Sequence, residues 1–300
     1  MTAPRVIHRA DELAELIAGW KNAGDTIALI PTMGALHDGH LALVSRGRAE
    51  CSRVVVSVFV NPLQFGVGED FDRYPRTLGH DVQALDNLGV DVVFAPDVTD
   101  VYPDWPDTKP TIFAGPVGDT YEGQDRPGHF DGVLTVVSKL FDLVGCDKAV
   151  FGQKDAQQVF LVSQMAGHRA RPVSISVVDT VRDTDGLALS SRNFYLSDTD
   201  RDSATALHRA LVQVSGSLDG LPDGARREDV EAILASAEDD IRQDRRTLHY
   251  LDVVHRDTFM PFRGGGSAGV VVIVACSVGG VRLIDALDVT ISGGTAQGGA

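Results

Sequence analysis

The chain has 300 residues and a formal net charge of -15, because 42 acidic side chains outnumber 27 basic ones. This charge repels phosphate backbones and anionic lipid, so the composition argues against nucleic acid and membrane surfaces as partners. A length of 300 residues with 43% hydrophobic residues suits a larger globular domain followed by a smaller one.

The first part of the chain alternates buried strands with helices. Apolar, β-branched runs predict strands at 26–30, 54–60, 92–95, 149–151 and 173–178. Apolar residues at three- and four-residue spacing predict helices at 11–21, 41–50, 81–88, 133–143 and 157–166. Over residues 1–180 this order predicts an α/β fold with a doubly wound, Rossmann-like parallel sheet. Ligands of such sheets bind beyond the carboxyl ends of the strands.

The pattern changes after about residue 180. Two long polar helices are predicted at 198–218 and 227–244, and strands at 247–254, 270–276 and 281–289. These elements predict a smaller C-terminal α+β domain over 181–290. The Gly-rich end, 291–300, has too few apolar residues to pack, so we expect a flexible tail there.

A turn rich in glycine and histidine follows the first of these predicted strands, with the sequence Pro31-Thr32-Met33-Gly34-Ala35-Leu36-His37-Asp38-Gly39-His40. Gly34 and Gly39 let a ligand approach the backbone closely, and the N-terminus of the following helix adds partial positive charge. Phosphates suit this position, beside two imidazoles that can donate hydrogen bonds. Two alternatives stay open on these residues alone: histidines that face solvent, and a zinc site that lacks a third ligand at a recognisable spacing.

Neutral polar and aromatic residues follow the second of these strands, in Phe59-Val60-Asn61-Pro62-Leu63-Gln64-Phe65-Gly66. Asn61 and Gln64 suit hydroxyls and phosphate oxygens, and Phe65 suits an apolar part of a ligand. Asn before Pro is also a common start of a turn, which is the alternative for Asn61.

Charged residues mark two later stretches. Lys154 and Asp155 follow a strand and Gly152, and they suit a phosphate and ribose hydroxyls; a surface ion pair worth about 0–1 kcal/mol is the alternative. The hydroxyls and guanidinium of 190–192 suit capture of a triphosphate by a mobile loop, although such residues are commonplace in loops.

Together these stretches resemble the pantothenate synthetase family of nucleotidyltransferases, over roughly residues 5–289. His37-Asp38-Gly39-His40 matches the family's His-x-Gly-His signature, and the other stretches follow in the family's order. Gln153 and Ala156 depart from the usual residues, and Leu189 stands where many members have Met. The resemblance implies an ATP-dependent ligase that condenses (R)-pantoate with β-alanine through a pantoyl adenylate, releasing AMP and pyrophosphate.

The resemblance also implies roles for individual residues. Those expected in catalysis are His40, His37 and Lys154. Those expected to bind ATP are Met33, Gly34, Ala35, Leu36, His37, Asp38, Gly39, His40, Asn61, Gly152, Gln153, Lys154, Asp155, Val181, Leu189, Ser190, Ser191 and Arg192. Those expected to bind the other substrates are Gln64, Gln158, Phe65, Arg126 and His129. No protein metal site is expected, because Mg²⁺ is coordinated mainly by the ATP phosphates.

By the same resemblance the protein is a homodimer whose small-molecule partners are pantoate, β-alanine and ATP. Cys51, Cys146 and Cys276 fit no disulfide or zinc spacing, and no signal peptide or membrane span is expected, so we expect a cytoplasmic protein. A nucleotidyltransferase for a phosphorylated acceptor is disfavoured by the neutral Gln64 and Gln158. A non-enzymatic nucleotide-binding protein has no need for His40 and Lys154 together.

Overall fold

The computed structural model describes residues 3–66, 68–69, 71–221, 225–242 and 246–291. They form two compact units, one from the described parts of Met1–Gly152 and Gln157–Val178, the other from those of Gln153–Ala156 and Asp179–Ala300. The tail expected over 291–300 starts at Ile291, which ends a strand, and its remaining residues lie outside the described part. Every helix in the described part is too short or too polar to cross a bilayer.

A parallel sheet forms the centre of the first unit. Its strands are β1 Arg5–Ile7, β2 Ile27–Thr32, β3 Arg53–Val58, β4 Val92–Phe94, β5 Lys148–Gly152 and β6 Ser174–Val178. Within the described residues they form one sheet of order β1-β4-β3-β2-β5-β6, in which every neighbouring pair is parallel. The predicted α/β class is confirmed, and β1 is a strand that the sequence patterns did not indicate.

Helices connect and cover these strands. They are α1 Ala10–Asn22, α2 Asp38–Glu50, α3 Leu78–Ala84, α4 Val98–Val101, α5 Gly115–Gly118, α6 Glu122–Asp125, α7 His129–Val144 and α8 Ala156–Gly167. Successive residues of β2 enter different apolar clusters, Ile27 and Leu29 with α1 and α7, Ala28 and Ile30 with α2. Because both faces of the strand are buried, its sequence is a continuous apolar run.

The second unit combines helices with an antiparallel sheet. Its elements are α9 Asp198–Ala204, α10 Ala206–Asp219, α11 Arg227–Ile241, β7 Arg246–His255, β8 Ala268–Val278 and β9 Val281–Ile291. The described strands pair in the order β7-β8-β9, and α10 packs on β8 and β9. This α+β arrangement was predicted from the sequence.

Two helix predictions in this unit were wrong in their bounds. The single helix predicted at 198–218 is divided at Thr205, whose Oγ1 donates to the carbonyl of Asp202 at 2.7 Å and competes with the regular helical bonds. The helix predicted at 227–244 ends at Ile241, because Arg242 leaves the helical region with ψ 61°; residues 243–244 lie outside the described part.

Sheet order determines where the loops of the first unit begin. β2 lies between β3 and β5, and all three strands point the same way. The loops that leave Thr32, Val58 and Gly152 therefore start at the same edge of the sheet, as expected for a ligand site in a doubly wound fold.

Candidate active site

A buried carboxylate holds the loop between β2 and α2. Asp81, on α3, is 2% exposed and accepts the main-chain N–H groups of Ala35 at 3.2 Å and Leu36 at 2.9 Å. At the start of the loop, Thr32 Oγ1 accepts the N–H of Gly34 at 3.2 Å. The phosphate loop predicted from the sequence is thus fixed through its own backbone.

Gly34 is required by the shape of this loop. Its φ is +85°, a region that side chains with a Cβ rarely adopt. A Cβ at this position would lie 3.0 Å from Asp81 Oδ2 and 3.1 Å from Val58 Cγ1. Only glycine therefore lets the loop approach both α3 and the end of β3.

The two histidines of the loop cap helix α2. His37 is the N-cap residue, and its Nδ1 accepts the N–H of Gly39 at 3.2 Å. His40 Nδ1 accepts the N–H of His37 at 3.2 Å, and the two rings lie 4.1 Å apart between centroids. An imidazole nitrogen that accepts a hydrogen bond carries no proton, so each neutral ring has its N–H at Nε2. The start of α2 thus has two side-chain donors, the Nε2–H groups of His37 and His40, next to the exposed Asp38.

The end of β3 brings Asn61 and Gln64 together. Asn61 is 1% exposed, and its Nδ2 donates to Gln64 Oε1 at 3.1 Å and to the carbonyl of Gly132 at 3.1 Å. Its Oδ1 accepts from Leu63 N at 3.2 Å and from the Tyr102 hydroxyl at 2.8 Å. All four hydrogen-bonding positions of the Asn61 amide are used within the protein, which favours a role in holding Gln64.

Gln64 also contacts the first loop and two side chains near the start of α7. Its Nε2 lies 3.2 Å from Met33 Sδ. Its main-chain carbonyl accepts from His129 Nδ1 at 2.9 Å and from Arg126 Nη2 at 3.3 Å. The neighbouring Phe65 packs edge-on against the rings of Phe71 and Tyr74. Four of the predicted substrate residues therefore lie around one turn, Pro62–Gln64.

The two glutamines at the start of α8 differ in their surroundings. Gln157 is buried, and its Nε2 donates to the carbonyls of Val117 at 2.8 Å and Thr120 at 2.9 Å. Gln158, the predicted substrate residue, is half-buried on the same helix. Gln157 therefore holds the segment 117–120 in place, and Gln158 is the glutamine of the two that suits a ligand role.

The second unit contains Lys154, Asp155 and Arg192, three charged residues predicted to bind ATP. Lys154 lies in the short turn Gln153–Asp155, where its Nζ is 3.5 Å from the Asp155 carboxylate. Ser191–Tyr195 forms a second turn, and the Ser190 hydroxyl that precedes it accepts the N–H of Arg192 at 3.3 Å. Both turns pack on β9, although they are far apart in the chain.

The hairpin before Ser190 is also held on β9. Leu189 N donates to the carbonyl of Val181 at 3.0 Å, which brings together two residues predicted to bind ATP. Arg182 forms a two-point ion pair with Asp285, a β9 residue that is 3% exposed. No group of three or more His, Cys, Asp or Glu side chains placed to hold a metal ion occurs in the described residues.

Several supporting residues were missed or undervalued by sequence reasoning. Tyr102 and Glu69 carried no local signal in the sequence. Gly132, directly before the helix predicted at 133–143, was missed as well. Its Cβ would lie 2.1 Å from the carbonyl oxygen of Leu63, so α7 contacts the Pro62–Gln64 turn through backbone.

Comparison with known proteins identifies the family of this chain. Residues 5–288 match the family model described as pantoate-beta-alanine ligase. A pantothenate synthetase from Leifsonia xyli is 48% identical over 265 residues, covering 88% of this chain and 89% of the relative. The crystal structure of pantothenate synthetase from Thermus thermophilus superimposes with a TM-score of 0.85 at 42% identity, covering 95% of this chain and 99% of that one.

A second solved structure adds bound ligands. Pantoate-beta-alanine ligase from Francisella tularensis, complexed with beta-gamma ATP and beta-alanine, has a TM-score of 0.74 at 32% identity, covering 95% of this chain and 98% of that one. These likenesses extend over nearly the whole chain and confirm the resemblance seen in the motifs. The chain therefore belongs to the pantoate-beta-alanine ligase family, an enzyme family whose function is the condensation of pantoate with β-alanine.

Proposed function

We propose that this protein condenses pantoate with β-alanine in two steps, using ATP. A carboxylate is a poor acylating agent, because it would have to expel oxide. In the first step a pantoate carboxylate oxygen attacks the α-phosphorus of ATP, forming pantoyl adenylate and releasing pyrophosphate. In the second step the amine of β-alanine attacks the activated carbonyl and displaces AMP. The bound ATP and β-alanine of the Francisella tularensis relative support this choice of substrates.

The proposal depends most on the arrangement of His37 and His40. Both rings turn Nδ1 toward main-chain N–H groups, so both neutral rings carry their proton on Nε2 at the start of α2. Negative charge builds on the α-phosphoryl group and on the departing pyrophosphate during the first step. Donors fixed before the reaction stabilise such charge without reorganisation, and the helix N-terminus acts in the same direction.

The remaining roles follow the two units. The first binds ATP through the loop 33–40 and Gly152, and it binds pantoate through Gln64, Gln158 and Phe65. Asn61, Arg126 and His129 support the same site. The second unit also binds the nucleotide, with Val181 at the adenine. Its other residues proposed to bind ATP are Gln153, Lys154, Asp155, Leu189, Ser190, Ser191 and Arg192, of which Lys154, Ser190, Ser191 and Arg192 bind the phosphates.

ATP enters as its Mg²⁺ complex, and the ion is coordinated mainly by the phosphates. Mg²⁺ keeps several waters and takes few protein ligands, which suits a site built on donors and cations.

We also place the enzyme in the cytoplasm as a homodimer. Buried thiols such as Cys146, whose pKa burial raises to about 12, suit a reducing compartment. Sedimentation equilibrium gives the oligomeric state directly.

Exchange of labelled pyrophosphate into ATP, with pantoate and without β-alanine, tests the first step. Wild type should exchange only when pantoate is present. His40→Ala would remove both the Nε2 donor and the cap on His37 N, so His40→Asn is the better variant. Its Oδ1 can keep the cap at the position of Nδ1 while the Nε2 donor is lost.

His40→Asn should reduce exchange by about 10²–10⁴-fold while the free energy of unfolding stays near that of wild type. His80→Asn, at an exposed position on α3, is the matched control and should exchange like wild type. Exchange that ignores pantoate would exclude the adenylate step. If His40→Asn exchanged pyrophosphate as fast as wild type, His40 would have no role in catalysis.

A further inference from the structure

Gln64 is held at its backbone as well as at its side chain. The side-chain amide meets Asn61 and Met33, as expected for a residue that must present one orientation to a ligand. The main-chain carbonyl of the same residue accepts hydrogen bonds from His129 Nδ1 at 2.9 Å and Arg126 Nη2 at 3.3 Å. Two long side chains from another part of the sequence thus converge on one backbone oxygen.

The hydrogen bonds fix the tautomer of His129. A carbonyl oxygen only accepts, so Nδ1 must carry the proton. Arg126 Nη1 lies 3.2 Å from Nε2, and a guanidinium only donates, so Nε2 is the acceptor. The ring is neutral, with both nitrogens engaged within the protein. Burial and the charge of Arg126 lower the pKa of His129 to about 4, which keeps it neutral at physiological pH.

Arg126 is engaged on every side of its guanidinium. Its Nε and Nη2 bond the two carboxylate oxygens of Glu69 at 3.0 and 2.6 Å, and Nη1 lies 3.9 Å from the Glu122 carboxylate. Burial opposes the charge of Glu69, but the hydrogen bond and charge of Arg126, together with the N–H of Gly66, lower the pKa of that carboxyl. With its side chain only 15% exposed, Arg126 forms part of a closed network behind Gln64.

We propose that Arg126 and His129 are positioning residues, which hold the backbone of Gln64 so that its amide faces the acid substrate, and that neither contacts that substrate. The role rests on the proposed function, because it presumes that Gln64 binds pantoate. Losing one hydrogen bond to the Gln64 carbonyl and loosening the other should weaken pantoate binding about tenfold.

A double-mutant cycle between His129 and Gln64 distinguishes positioning from contact. His129→Leu removes both hydrogen bonds of the imidazole, the one to the Gln64 carbonyl and the one from Arg126. It should raise the KM for pantoate about tenfold, with the KM for ATP within about twofold of wild type. In a Gln64→Met background the same change should have no further effect, because no amide remains to be positioned. His129→Asn should restore most of the loss, since its Nδ2 can replace the Nδ1 donor, whereas His129→Gln should not.

An equal rise in both backgrounds would mean that His129 contacts the acid directly, and no rise in either would mean that it does nothing for Gln64; both results overturn the inference. If wild type itself shows no pantoate dependence, the proposed function fails instead.

NMR supplies a measurement that needs no turnover. In His129→Asn and His129→Gln, ¹⁵N relaxation should show a rigid and a mobile Gln64 side-chain amide respectively. Gln157, a buried glutamine bonded elsewhere, is the internal control and should stay rigid in both. Equal rigidity of Gln64 in the two variants would also overturn the inference.

Discussion

The main-chain N–H of Leu36 donates to Oδ1 of Asp81 at 2.9 Å, across 45 positions of sequence. Because the carboxylate also accepts from Ala35 N at 3.2 Å, two successive backbone donors of the phosphate loop depend on one buried side chain. The loop therefore receives its shape from α3.

Asp81→Asn should weaken ATP binding and destabilise the fold. An amide has one acceptor and turns its NH₂ group toward one of the two main-chain donors. We expect a loss of about 1–3 kcal/mol in the free energy of unfolding and a rise of about tenfold in the KM for ATP. Urea unfolding and steady-state kinetics measure the two effects. Asp86→Asn, the same change at an exposed site after α3, should alter neither; equal behaviour of the two variants would contradict this role.

Gly34→Ala should cost more than Gly24→Ala, although both glycines have nearly the same φ, +85° and +82°. Both variants incur a backbone cost of roughly 1–2 kcal/mol. At Gly24 no atom of the described residues lies within 4 Å of the added Cβ, whereas at Gly34 Asp81 Oδ2 lies 3.0 Å away. We expect a further loss of about 1–3 kcal/mol at Gly34 only, with weakened ATP binding. Equal unfolding free energies would show that the loop yields easily.

Acid should destabilise the protein partly through His129. Burial, together with Arg126, lowers its pKa from 6.5 to about 4, while Glu122 and Glu69 act in the opposite direction. The folded-state pKa is the lower one, so the unfolded chain binds the proton first as pH falls. This contribution to stability is complete above pH 6.5 and is lost between about 6.5 and 4.

Between pH 7 and 5 this one group removes about 2 kcal/mol from the free energy of unfolding. His129→Asn does not titrate, so it should lose about 2 kcal/mol less than wild type over that interval in urea experiments. His80→Asn, at an exposed position, controls for the loss of a histidine. An identical pH dependence of His129→Asn and wild type would mean that the ring titrates normally.

Lys154→Ala should slow the pantoate-dependent exchange of pyrophosphate by about 10²–10³-fold, because a cation at the transferred phosphate is removed. Within the described part of the chain, Lys154 pairs with the half-exposed Asp155 of its own turn, at 3.5 Å, so its loss should change stability by less than about 1 kcal/mol. Lys139→Ala, at an exposed position of α7, is the control for charge. If Lys154→Ala exchanged pyrophosphate at the wild-type rate, Lys154 would have no catalytic role beyond its ion pair with Asp155.

The strands of the parallel sheet could be read from the sequence because both of their faces are buried. Runs such as 54–58 contain only apolar or small residues and are rich in β-branched valine, which favours a buried strand. β1 was missed because it has three residues, one of them Arg5, and depends on its pairing with β4. The break at Thr205 was missed because threonine inside a helical pattern usually faces solvent.

The residues proposed to face the ligands were predicted from motifs, whereas the residues that support them were not. Asp81, Tyr102 and Glu69 act on residues that are tens of positions away in the chain. Each is an ordinary residue in its local sequence. Only folding brings the Tyr102 hydroxyl to 2.8 Å from Asn61, and no periodicity or spacing encodes that meeting.

The close approach of α7 to the Pro62–Gln64 turn at Gly132 also bears on redesign of substrate range. Directed evolution toward a bulkier acid would target the side chains of Gln64 and Gln158. A library that included Gly132 would move the turn itself, because a methyl group there meets the Leu63 carbonyl at 2.1 Å. On the proposed function, selectivity is varied at the side-chain amides of Gln64 and Gln158, while residue 132 of α7 must stay a glycine.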